Sequence, residues 1–192
     1  MKTGLVTFLL LFCLTGCITN PPQPVSYYQL EVNSVADEKQ AELNRVLLVD
    51  KVQLIELFDQ QALVQFQRDS KVNIANFHFW AQPPSDMLTW NLINALNATD
   101  KTTAIKSDKF YRNAQEHQRL VLEINEFAGH FEKGAVMSGT WYLYQYKEGS
   151  YQLTQVQPFQ FETALEQDGF SALVSAHQQN FNQLTTQISK QL

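Results

Sequence analysis

The sequence predicts an α+β fold, a mixed or mainly antiparallel sheet with two principal helices packed on one face. Three observations carry this reading. Residues 119–131, 135–146 and 151–165 alternate in polarity and are joined at Gly134 and at Glu148-Gly149-Ser150, the pattern of a three-stranded antiparallel meander. Residues 85–98 keep Leu88, Leu92, Ala95 and Leu96 on one helical stripe, with Ser85 or Asp86 as the expected cap. Residues 169–192 do the same with Phe170, Leu173, Val174, His177, Phe181, Leu184 and Ile188.

The remaining elements follow in chain order. Residues 27–32 (YYQLEV) set Tyr28, Leu30 and Val32 against Tyr27, Gln29 and Glu31, a half-buried strand that opens the sheet. Polar residues 33–44 read as a loop holding a turn of helix. Residues 45–54 (RVLLVDKVQL) are apolar on both faces over 46–49, which suits one central strand covered on two sides. Residues 62–67 and 71–75 form a hairpin about the polar turn Arg68-Asp69-Ser70. A short strand is expected at 102–106.

The chain has 192 residues, 44% of them hydrophobic and 17% charged, the balance of one folded domain. Its 14 Lys and Arg face 19 Asp and Glu without any basic run, which argues against a nucleic-acid partner. Both cysteines, Cys13 and Cys17, fall within the first seventeen residues, so the body holds no thiol for a disulfide framework or a thiolate metal site.

That start is itself informative. Lys2 supplies a positive n-region, and residues 5–14 (LVTFLLLFCL) form an apolar run too short for the roughly 20 residues that span a bilayer. Leu14-Thr15-Gly16-Cys17 then resembles the bacterial lipobox, in which the thiol receives diacylglycerol and small residues admit the signal peptidase. Residues 1–16 are thus expected to be a lipoprotein signal peptide, residues 17–26 the lipidated Cys17 with a proline-rich tether, and residues 27–192 a single α+β domain. Several acyl chains, at about 0.8 kcal/mol per buried methylene, anchor stably. Ile18 stands where the enterobacterial sorting habit places Asp for inner-membrane retention, which favours the outer membrane. The tether, 18–26 (ITNPPQPVS), reaches about 28 Å if extended at about 3.1 Å per residue, so the body is expected to stand off the membrane.

No phosphate-binding loop, dinucleotide fingerprint or nucleophile elbow occurs, and no cofactor is implied. His78, His117, His130 and His177 are dispersed without metal-ligand spacing, and His177 falls on the apolar stripe of the last helix. Glu123 and Glu126 fall on opposite faces of a regular strand, a poor arrangement for acid/base work. The unusual segment is 76–84 (NFHFWAQPP). Phe77, Phe79 and Trp80 fit core residues that lock the helix entry before they fit the alternative, an aromatic contact loop for a partner. Trp141, with Tyr142, Tyr144 and Tyr146, fits a core or pocket lining and equally an oligomer surface.

Four motifs in register resemble the PqiC (YmbA)-type ABC-transport auxiliary lipoprotein family. They are the lipobox, Tyr27-Tyr28-Gln29-Leu30 after the tether, Trp80-Ala81-Gln82-Pro83 before the first helix, and Glu126-Phe127 through Ser138-Gly139-Thr140-Trp141 in the meander. Pro84 departs from the family's usual Leu. The resemblance implies a Gram-negative envelope component without a catalytic step, held in the periplasmic leaflet of the outer membrane by its lipid anchor. It further implies docking to an MCE-domain (PqiB-like) protein that bridges the periplasm for lipid or other hydrophobic cargo, and a symmetric homo-oligomer matched to that tubular partner. The residues alone equally fit a stand-alone periplasmic lipid-binding lipoprotein, which would require an apolar cavity of roughly 300–1,000 Å³ open to the surface.

Overall fold

The computed structural model describes residues 23–31, 46–99, 102–109 and 116–192. The leader, Cys17, most of the tether and the polar segment 33–44 lie outside them. Among the described residues nine strands and two α-helices follow in order: β1 Ser26–Tyr28, β2 Val46–Val49, β3 Gln53–Leu54, β4 Ala62–Phe66, β5 Val72–Trp80, α1 Pro84–Asn97, β6 Thr103–Lys106, β7 His117–His130, β8 Gly134–Lys147, β9 Ser150–Thr163 and α2 Phe170–Ser189. All nine strands join one mixed sheet, as the α+β reading requires.

β7 is the spine. Along one edge it pairs antiparallel with β8, which pairs in turn with β9, giving the expected meander. Its other edge is shared by three short parallel partners, β2, β3 and β4, one after another. Beyond them β6 lies parallel to β2, β5 antiparallel to β4, and β1 parallel to β5 at the sheet edge.

The single strand expected over 45–54 is two strands, because one extra residue enters between Val49, opposite Leu120, and Gln53, opposite Glu123. The helix α1 holds this break open. Val52 donates its N–H to Thr89 Oγ1 at 2.8 Å, and the Thr89 hydroxyl donates to the Ser85 carbonyl at 2.6 Å. The four residues of β2 are buried, as a strand covered on both faces should be.

The first helix begins one residue before its expected caps. Pro83 is the N-cap and Pro84 the first helical residue, where a missing N–H costs nothing. The free Ser85 N–H is satisfied from outside the helix by Asp59 Oδ1 at 2.9 Å. Leu88, Leu92 and Leu96 face the core, as the stripe predicts. In α2, Leu173, His177, Phe181, Leu184 and Ile188 are buried. Asn180 pins this helix to the meander, donating Nδ2–H to the Ala135 carbonyl at 3.0 Å and accepting from the Thr163 hydroxyl at 2.7 Å.

A second bulge lies in β7. Ile124 opposes Gly139 and Glu126 opposes Ser138, so Asn125 is the extra residue. Glu123 opposes Thr140, two residues from Ser138 on β8, so the bulge turns Glu123 and Glu126 to the same face and corrects the opposite-face expectation. The bent backbone needs a glycine opposite it: a Cβ on Gly139 would sit 2.0 Å from the Glu123 carbonyl oxygen. Gly139→Ala is expected to cost about 3 kcal/mol through this backbone overlap. Urea denaturation of the variant against the parent measures it.

Candidate functional site

The aromatic segment after Asn76 is a strand and not a loop, since β5 runs through Trp80 and β1 pairs with its end, Tyr27 opposite Phe79 and Tyr28 opposite Trp80. This corrects the contact-loop geometry. Strand alternation then divides the segment's side chains between two faces.

On the inner face Trp80 is 3% exposed and stacks on Phe127 at 5.2 Å between ring centroids. His177 of α2 lies 4.3 Å from the Phe127 ring and 6.0 Å from Trp80. Next to them Tyr28 and His78 share a 2.9 Å hydrogen bond between the hydroxyl and Nδ1, and His78 stacks on Phe170 at 4.0 Å. These rings join the sheet edge to α2. Trp141 is fully buried at the centre of β8, opposite Leu122 and Gln157.

Burial of His177 pushes its pKa down to about 3. Below the ordinary imidazole value near 6.5, the unfolded chain therefore takes up a proton that the folded chain refuses. Stability falls as pH drops from about 6.5 toward about 3, with a slope of about 1.4 kcal/mol per unit inside that window. Between pH 6.5 and 5 the loss from this residue is about 2 kcal/mol. Denaturation of the parent and of His177→Gln at both pH values is expected to show that increment in the parent and not in the variant.

The outer face is different. Phe77 is 39% exposed, Phe79 is half-buried against Tyr27 at 5.9 Å between centroids, and Tyr27 is 67% exposed. Val72 and Ile74 join them, because five steps along β5, from Ile74 to Phe79, oppose only two steps of β4, from Val64 to Ala62. The shift reverses the strand's parity and returns all four β5 side chains to one face. Sequence reasoning did not single out Tyr27. Its cue was the adjacent pair Tyr27-Tyr28, of which a strand can bury only one.

Further along the same sheet face, a cleft of about 650 Å³ is lined by Phe58, Phe66 and Phe131 together with Gln67, Asp69, Ser70, Asn125, Glu126 and His130. The guanidinium of Arg68 lies 5.5 Å from the Phe131 ring centre. The cleft mixes three phenylalanine rings with six polar residues and is open to solvent along its length, not enclosed. The Glu123 carboxylate accepts from the Tyr142 hydroxyl at 3.2 Å. At the opposite end of β7, His117 stacks on Tyr146 at 4.7 Å and hydrogen-bonds the Tyr151 hydroxyl at 2.9 Å. Beside it, Arg119 makes a two-pronged contact with Asp50, its Nη2 donating at 2.6 Å, which holds the guanidinium pKa above its usual value. Among the described residues no three His, Cys, Asp or Glu side chains gather in a way that would hold a metal ion, and no helix is long and apolar enough to cross a membrane.

The comparisons agree with this architecture over nearly its whole length. The chain is 30% identical over 175 residues to the intermembrane transport lipoprotein PqiC of Escherichia coli (strain K12), and equally to PqiC of Shigella flexneri, covering 91% of this chain and 88% of each relative. The fold is that of the crystal structure of an uncharacterized protein, at TM-score 0.69 and 24% identity over 88% of this chain and 99% of that one. It is also that of protein XCC0632 from Xanthomonas campestris, at TM-score 0.66 and 15% identity over 86% and 93%. The family model for the ABC-type transport auxiliary lipoprotein component matches residues 28–189, from β1 through the last turn of α2, and the chain belongs to that family.

Proposed function

We propose that this chain is the outer-membrane lipoprotein component of an MCE-type system that moves lipid or other hydrophobic cargo between membranes. The observation that carries the proposal is the match along nearly the whole chain to relatives named as intermembrane transport lipoproteins. The lipobox around Cys17 supports an anchor of the same kind. In this reading diacylglycerol on Cys17 and an acylated amine hold the chain in the periplasmic leaflet. The folded domain receives the distal end of a periplasm-spanning MCE-domain (PqiB-like) protein, and a symmetric homo-oligomer presents a matching ring. In this reading no catalytic step belongs to this chain.

The open form of the cleft beside Phe66 supports docking over a self-contained carrier, which has to enclose its apolar cargo. A transfer assay separates the two. The purified lipidated protein, mixed with donor vesicles carrying fluorescent phospholipid and with unlabelled acceptors, is expected to leave the transfer rate at its spontaneous value. Rapid transfer by this chain alone would overturn the docking assignment in favour of the carrier. Density-gradient separation of cell membranes checks the location, with the protein expected in the outer-membrane band.

A further inference from the structure

We propose that the outer corner of the sheet made by β1 and β5 lies on the lipid surface that holds the anchor, with Tyr27, Phe77 and Phe79 at headgroup level. The inference rests on lipidation of Cys17, and three observations carry it.

First, the corner is an apolar surface at a sheet edge. Val25, Tyr27, Val72, Ile74 and Phe77 are all substantially exposed, and Phe79 lies against Tyr27 among them. A strand edge with this lining invites a partner or an apolar phase. Tyr suits the bilayer interface, its ring meeting apolar chains while its hydroxyl stays among headgroups, and Phe supplies a ring for the apolar side alone.

Second, charge selects this corner. The mature chain retains 13 Lys and Arg against all 19 Asp and Glu, so anionic lipid repels the body as a whole. Residues 18–30 contain no charged side chain at all, and residues 70–80 contain only Lys71. The two segments that build the corner therefore bring no carboxylate to the leaflet.

Third, the chain outside the structure ends here. Residue 23 is the first described, and β1 begins at Ser26, nine residues from Cys17. Nine residues reach about 28 Å if extended at about 3.1 Å each, a leash short enough to hold this corner at an effective concentration in the millimolar range, so a weak interfacial contact suffices. The tether allows the domain to stand off, and the aromatic corner brings it back to the surface. The face turned to the helices stays free of the leaflet.

The test uses the mature protein's lack of any free thiol once Cys17 carries its lipid. Tyr27→Cys, Phe77→Cys and, as a control, Trp90→Cys are each made in the lipidated protein, spin-labelled, and reconstituted in vesicles of phosphatidylethanolamine and phosphatidylglycerol. Trp90 is 60% exposed on α1, in the helical layer across the sheet. Collision with oxygen, which concentrates in lipid, is compared with collision with a water-soluble nickel complex. The expected result is an oxygen-to-nickel ratio severalfold higher at 27 and 77 than at 90. Equal, water-like ratios at all three sites in protein that sediments with the vesicles overturn the corner contact and leave the anchor standing. Low collision with both reagents and spin–spin broadening at 27 assign the corner to a second copy, which also overturns it. Protein that fails to sediment with the vesicles overturns the anchor, and the contact with it.

Discussion

Trp80→Ala is expected to lower the free energy of unfolding by about 3–5 kcal/mol, the usual cost of truncating a buried aromatic. The position makes the upper part of that range reasonable. Trp80 packs against Phe127 of the spine strand and His177 of α2. It is also the last residue before the turn into α1. Removing the ring opens a cavity where edge strands, central strand and C-terminal helix meet. Guanidinium denaturation with the midpoint and slope compared to the parent is the measurement. Unchanged melting together with lost partner binding would assign Trp80 to a contact surface, against its burial. Phe77→Ala is the informative companion, because the same truncation at an exposed site should leave stability nearly unchanged.

Cys17→Ala is expected to abolish lipid attachment altogether. The thiol is the only group in the lipobox able to form the thioether, and signal-peptide cleavage in this class follows lipid transfer. Several acyl chains are lost together, and the acidic domain has no electrostatic hold on anionic lipid to replace them. Fractionation after carbonate washing and metabolic labelling with palmitate should show the parent in the membrane and labelled. The variant should be unlabelled, with an unprocessed leader. Palmitate label that persists in the variant would contradict assignment of the anchor to Cys17.

Local periodicity made much of the fold legible. The meander strands and both helices lie within a few residues of their expected bounds, because alternation and helical stripes are written in consecutive residues. The departures come from partners distant in sequence. The strand over 45–54 breaks where Val52 turns its N–H to Thr89, thirty-seven residues away. The start of α1 is satisfied by Asp59 from another element and not by Ser85 or Asp86. The bulge at Asn125 depends on the close approach of Gly139 across the hairpin, and a glycine inside a strand pattern was its one visible cue.

The candidate site was legible by residue type but not by face. Phe77, Phe79 and Trp80 stand out as an aromatic run, for which the sequence favours a core role and leaves a contact role open. The structure gives them different environments, with Trp80 in the core and Phe77 open to solvent, because a strand must send neighbours to opposite sides. Trp141 belongs with Trp80 in the interior. That Tyr27 stands beside Phe79 was not legible, because it follows from the parallel pairing of β1 with β5 across fifty-two residues.

Docking to a periplasm-spanning protein stands or falls on the identity of the partner. The lipidated protein is expressed in a Gram-negative host, crosslinked in the periplasm, recovered from the outer-membrane fraction and analysed by mass spectrometry. An MCE-domain protein crosslinked to this chain is the predicted result. Recovery of self-crosslinks or lipid alone, with the protein present in the membrane at its normal level, would contradict the docking account.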